Sequence, residues 1–185
     1  MESQIREMLA MGVESSLPPA AYAALGASGT RALISVFERT DAPRHVRLRA
    51  LGVLSALDDE RASEYLARLV ELRSSAQMEG LGNLHPLRSP SVLRRALQGL
   101  TRHPGKVDAS RVMPHLAHRD ATVRAAAVRL LASKPEPSVT RALMGQRERE
   151  RSREVLGALE IALKDRSALP ASPPPDAPGS GSPPR

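Results

Sequence analysis

The chain of 185 residues contains no cysteine and no tryptophan, and its aromatic residues are only Tyr22, Phe37 and Tyr65. The lack of cysteine excludes disulfides, cysteine-based zinc sites and thiol nucleophiles. With so few aromatic side chains, the core must be built from leucine, valine, alanine, isoleucine and methionine. The same scarcity leaves little that could stack on nucleic-acid bases.

Long apolar runs are also missing. No stretch approaches the roughly 18 consecutive apolar residues that a membrane-spanning helix needs. The opening residues, 1–7, lack a basic stretch followed by an apolar run, so we expect no signal peptide. A chain without cysteine agrees with a reducing compartment. We therefore expect a soluble, cytoplasmic protein that makes no contact with a membrane.

The familiar catalytic motifs are absent from the sequence. Gly80-Leu81-Gly82 has no lysine after it, as a phosphate-binding loop would require, and no Gly-x-Ser-x-Gly elbow occurs. The acidic side chains of residues 148–154 alternate with arginines, and we interpret this run as a solvated surface with local ion pairs. The sequence thus favours a protein that is not an enzyme and binds no cofactor.

One set of residues suggests a metal site. His115 and His118 are three residues apart and Asp120 follows, so the two histidines would share a face of a helix. A closed site needs further ligands in fixed geometry, and Asp120 also suits the N-cap of the next helix. We favour polar residues at a helix end over a metal site.

A triplet of apolar residues with a spacing of four occurs four times along the chain. The first residues of successive copies are 46, 31 and 32 residues apart. Within each copy the spacing of four places the three side chains on one face of a helix. Alanine and leucine are strong helix formers, so we predict an all-α chain in which one helical unit recurs. The copies are Val46/Ala50/Leu54, Val92/Ala96/Leu100, Val123/Ala127/Leu131 and the weaker Val155/Leu159/Leu163.

The repeated unit resembles the HEAT-repeat family. The best match is the segment 120–127, Asp-Ala-Thr-Val-Arg-Ala-Ala-Ala, and Asp41 with the segment 46–50 is a close second. The resemblance implies a right-handed α-solenoid of about four antiparallel helix pairs over residues 1–166. In that family the second helix of each pair lines the inner surface. By this resemblance, the exposed positions of the four marked helices are the candidate partner-binding face.

Arginine dominates the positive charge, which gives the chain a net charge of +7. We select Arg49, Arg95 and Arg129 as candidate binding residues on the exposed side of the marked helices. Arg47 and Arg124 follow the valine of the repeat, and the resemblance assigns them to a structural pairing with a turn aspartate. An excess of positive charge can also attract nucleic acid.

From residue 167 to residue 185 the composition changes to proline, serine, glycine and alanine. Such a segment cannot bury a core, so we predict a disordered tail. The segment 175–178 fits the loose Pro-x-x-Pro spacing of proline-rich docking segments.

These observations lead to a main functional expectation and two alternatives. The main one is a protein-interaction scaffold that binds an acidic or mixed segment of a protein partner. The first alternative is nucleic-acid binding through the phosphate backbone, because HEAT-like folds include DNA-repair glycosylases. The second is an accessory role like that of HEAT-like lyases that handle bilin pigments, although no residue set here would hold a tetrapyrrole.

Overall fold

The computed structural model describes residues 1–10, 22, 24, 26–74 and 89–167. These residues form helices and no strand, which confirms the all-α prediction. None of the described helices is long and apolar enough to cross a membrane. The α-helices are α1 (Glu2–Ala10), α2 (Gly26–Glu38), α3 (Arg44–Ala56), α4 (Glu60–Ser74), α5 (Pro90–Leu100), α6 (Ala109–Val112), α7 (Ala121–Ala132), α8 (Pro137–Arg149) and α9 (Arg153–Ser167).

Helices that are neighbours in the chain pack in pairs. Helix α2 packs on α3, α4 on α5 and α8 on α9, and the 3-10 segment Met113–Ala117 packs on α7. The four helices that contain the triplets also contact one another in succession, because α3 packs on α5, α5 on α7 and α7 on α9. Repeated units in the sequence are therefore neighbours in space.

The repeated triplets form the seam that joins these helices. Every residue of the four triplets is buried, as their spacing predicts, and all belong to one continuous hydrophobic cluster. Burial of each leucine or valine side chain contributes about 1.5–3 kcal/mol, so the seam is a large part of the driving force for folding.

Local signals explain where several helices begin. Asp120 caps α7 because its Oδ1 accepts a hydrogen bond from the Thr122 backbone N–H at 2.8 Å, as the sequence predicts. Pro90 and Pro137 lie in the first turns of α5 and α8, where the missing N–H costs nothing. Pro114 lies in the first turn of the 3-10 segment Met113–Ala117 rather than at a helix kink.

Some predicted segments fall outside the described residues. The predicted tail, 167–185, lies outside them except for Ser167, which ends α9. The Pro-x-x-Pro segment at 175–178 lies outside them as well.

Gly99 marks the closest approach between α5 and its neighbours. A Cβ at this position would lie 2.9 Å from the Ser55 Cα in α3 and would also collide with the Leu66 side chain in α4. Because the Ser55 atom is backbone, it cannot rotate away. The absence of a side chain at Gly99 therefore sets how closely these three helices pack.

We expect Gly99→Ala to lower the free energy of unfolding by about 2 kcal/mol, because overpacking forces the helices apart. Equilibrium urea denaturation measures this change. The matched control is Gly145→Ala in the middle of α8, where a Cβ would meet nothing within 4 Å. That control should instead gain about 0.5–1 kcal/mol from the better helix propensity of alanine. Equal effects of the two substitutions would contradict the close packing at Gly99.

Candidate partner-binding surface

Arg49 and Arg95 occupy equivalent positions, three residues after the valine of their repeats, and each donates a hydrogen bond to a backbone carbonyl of another helix. The Arg49 Nη1 donates a hydrogen bond to the Leu9 carbonyl at 2.7 Å. The Arg95 Nη1 donates to the Leu48 carbonyl at 3.2 Å. Both guanidinium groups are thus bonded to the backbone of a preceding helix and are only partly exposed.

Arg95 is the more enclosed of the two. Burial lowers the pKa of its guanidinium, with a smaller contribution from Arg94. A Cβ at Gly52 would collide with the Arg95 guanidinium, so Gly52 provides the space in which Arg95 lies. A partner would have to displace this contact before it could bind Arg95.

Arg129 lies in a different environment. It follows Val123 by six residues rather than three, and the position equivalent to Arg49 and Arg95 is taken by the buried Ala126. The Arg129 side chain is exposed, with its Nη2 3.8 Å from the Glu154 Oε1 of α9. The three candidate arginines therefore do not share one environment, and their role in binding stays a prediction.

A groove lies beside Arg129, between α7 and α9. Its volume is about 460 Å³. Small or aliphatic side chains form its floor, and charged side chains form its rim. The floor consists of Ala132, Gly157, Ala158, Ile161 and Ala162, and the rim consists of Arg129, Arg153 and Glu154.

Small residues on α9 explain why the groove is open. A Cβ at Gly157 would meet nothing within 4 Å, so the missing side chain leaves free space above α9. Ile161, one turn further along, is 66% exposed, and only two other large hydrophobic residues of the described chain are exposed in this way. Gly157 and Ile161 are four residues apart and therefore lie on one helix face, and this combination is the sequence signal that could have indicated the groove.

The arginines that follow the repeat valines have structural contacts, as predicted, but with other partners than predicted. The Arg47 Nε donates to the Phe37 carbonyl at 2.8 Å, and its guanidinium lies 5.9 Å from the centre of the Phe37 ring. The turn residue Asp41 instead pairs with Arg39, whose hydrogen bonds hold the pKa of Asp41 at about 2. The predicted pairing of Arg47 with a turn aspartate is therefore wrong.

Arg124 also pairs with a different acid from the predicted one, because Asp120 is used as the cap of α7. Its Nε and Nη2 donate to the two carboxylate oxygens of Glu150, each at 2.8 Å. Its Nη1 donates to the carbonyls of His118 and Arg119. This bidentate geometry is the strong form of an arginine–carboxylate interaction.

Glu150 corrects the interpretation of residues 148–154 as a solvated surface. Glu148 and Glu154 are exposed, but the Glu150 side chain is only 3% exposed. Besides Arg124, its carboxylate accepts hydrogen bonds from the Gln146 side chain and from the backbone N–H groups of Arg151 and Ser152. These bonds, above all those from Arg124, lower the pKa of Glu150. Glu150 thus connects α7, α8 and the start of α9.

Two of the candidate metal residues, His118 and Asp120, accept hydrogen bonds from backbone N–H groups. The His118 Nδ1 accepts a hydrogen bond from the Asp120 backbone N–H at 3.0 Å, and His115 is buried. Among the described residues, no group of three or more histidine, aspartate or glutamate side chains is placed to hold a metal ion.

The described residues define an all-helical fold of contacting helix pairs, with a groove between α7 and α9. Comparisons with protein-family models, with curated proteins and with solved structures gave no match to this chain. The HEAT resemblance therefore stays a prediction that rests on the repeated residues.

We expect Glu150→Gln to lower the free energy of unfolding by about 2 kcal/mol at pH 7, because it removes the charge that Arg124 pairs with. The pKa of Glu150 is lower in the folded state than in the unfolded state. The stabilisation is therefore complete above the unfolded pKa of about 4.3 and is lost as the pH falls toward the folded value. The difference in unfolding free energy between the wild type and Glu150→Gln should therefore become smaller below about pH 4.

Urea denaturation at a series of pH values from 7 to 3 measures this difference. Glu148→Gln is the matched control, since Glu148 is exposed and should give almost no difference at any pH. A difference for Glu150→Gln that stays constant down to pH 3 would contradict the assigned role of the carboxylate.

Proposed function

We propose that this chain is a non-catalytic scaffold of the HEAT-like type that binds a protein partner in the groove between α7 and α9. Its described hairpins would form a right-handed α-solenoid of about four pairs. The observation that supports this best is the groove itself, because it lies between two successive second helices, where the HEAT resemblance expects the binding face.

The lining of the groove suggests the chemistry of the partner. Gly157, Ala158 and Ile161 offer an apolar floor on which an aliphatic side chain would lose contact with water. Arg129 and Arg153 at the rim would pair with carboxylates. The best-fitting partner is a short segment of another protein that combines aliphatic and acidic residues.

Nucleic-acid binding is the second candidate, and one observation favours it. Arg147, Arg149, Arg151 and Arg153 are all exposed around the junction of α8 and α9. The aromatic residues Tyr22, Phe37 and Tyr65 are all buried, and the rings of the last two pack edge to face. Binding would then depend on phosphate contacts alone and would be strongly sensitive to salt.

A peptide selection on the full chain tests the main proposal. Peptides enriched on the wild type should contain aliphatic and acidic residues. In fluorescence anisotropy, Ile161→Glu and Arg129→Glu should each weaken their binding at least tenfold, because they remove the apolar floor or reverse the rim charge. Both side chains are exposed, so the unfolding free energy should change little.

Two variants serve as matched controls for these substitutions. Met144→Glu on α8 changes an exposed apolar residue away from the groove, and Arg111→Glu on α6 reverses an exposed positive charge away from it. Both should bind the selected peptides as the wild type does. If these controls weaken binding equally, the groove is not the site.

Labelled RNA in the same assay separates the two candidates. Binding to RNA that falls about a hundredfold between 50 and 200 mM salt, with no peptide enriched, would favour phosphate binding over the main proposal.

A further inference from the structure

We propose that the proline-rich segment 168–185 of the same chain docks in the groove between α7 and α9 and competes there with the partner. This inference rests on the proposed function only because the segment and the protein partner would bind the same groove. The segment follows directly after Ser167, the last residue of α9, and α9 forms one wall of the groove.

The distances allow this contact within one molecule. Ile161, on the groove floor, precedes Ser167 by six residues, which is about 9 Å along a helix, and Arg153, at the far end of the rim, precedes it by 14 residues, which is about 21 Å. Asp176 follows Ser167 by nine residues, which reach about 28 Å when extended as polyproline II. The chain between Ser167 and Asp176 is therefore long enough to turn back and bring Asp176 to the groove.

The chemistry of the segment also fits the groove. Its acidic residue is Asp176, which is flanked by Pro175, Ala177 and Pro178. Proline and alanine side chains would cover the floor formed by Gly157 and Ala158, and the Asp176 carboxylate would pair with the rim arginines.

Of the two rim arginines, Arg129 already has an acidic neighbour, because its Nη2 lies 3.8 Å from the Glu154 Oε1. Arg153 is exposed, and it has no ion pair with another described residue. Arg153 is therefore the first partner that we assign to Asp176.

Covalent attachment makes such docking effective even when the contact is weak. A tethered ligand has an effective concentration in the millimolar range when its linker spans the distance. An external partner would then have to displace the segment, so the groove would bind a weak partner only when the segment releases it.

Paramagnetic relaxation in the full chain tests the proposal, and the lack of native cysteine allows one site to be labelled. A nitroxide attached to Ser180→Cys should broaden the amide signals of Ala132, Gly157 and Ile161, and it should leave those of Leu33 in α2 sharp. Ile161→Glu should abolish the broadening, Asp176→Asn should reduce it, and Met144→Glu should leave it unchanged.

Three results would overturn the proposal. These are the absence of broadening at the groove, broadening spread evenly over the protein, and broadening unchanged by Ile161→Glu. A mixture of ¹⁵N-labelled chain without nitroxide and unlabelled chain with nitroxide provides a further check. Broadening in that mixture would show that a second copy is bound, and would also overturn it.

This measurement contains no partner, so it is independent of the peptide selection. A segment that does not dock, together with peptides that bind the groove, refutes only this inference. Docking of the segment without any selected peptide refutes only the proposed function.

Discussion

Arginine side chains that bond to the carbonyls at helix ends determine how the helices of the buried seam meet. The last carbonyls of any helix have no partner within it. Arg49, Arg47, Arg102 and Arg166 donate to the next-to-last residue of α1, α2, α3 and α7, respectively. Positive charge is also favourable at this end of the helix dipole. Arg49, Arg47 and Arg166 join one helix to another, and Arg102 joins the turn after α5 to α3, so the arginines fix how these elements meet.

Because several arginines bond to carbonyls of the chain itself, the net positive charge is not by itself a sign of a binding surface. Arg95 and Arg124 add bonds to backbone carbonyls of the preceding segments. These six arginines are therefore bonded to backbone carbonyls of the chain itself. The arginines at the rim of the groove, Arg129 and Arg153, are among those that stay exposed. Both of these arginines line the groove between α7 and α9.

The sequence predicts the elements that depend on local patterns. The buried Val123, Ala127 and Leu131 seam and the Asp120 cap follow from spacing and residue type alone. The environment of Arg49 does not follow from them, because a helical pattern shows which face a residue lies on but not which neighbour covers that face. The same holds for Glu150, whose five hydrogen bonds come from three segments of the chain. The groove depends on how α7 and α9 pack around Gly157, which is also a tertiary property.

The most direct measurement of the central claim is the free energy of unfolding of Arg49→Met compared with Arg111→Met. Both substitutions keep much of the apolar stem and remove the guanidinium. Arg49 satisfies the Leu9 carbonyl, so its loss should cost about 1.5 kcal/mol. Arg111 is exposed, so its loss should stay within about 0.5 kcal/mol. Equal stability of the two variants would contradict the account, because the Arg49 guanidinium would then contribute nothing to the fold.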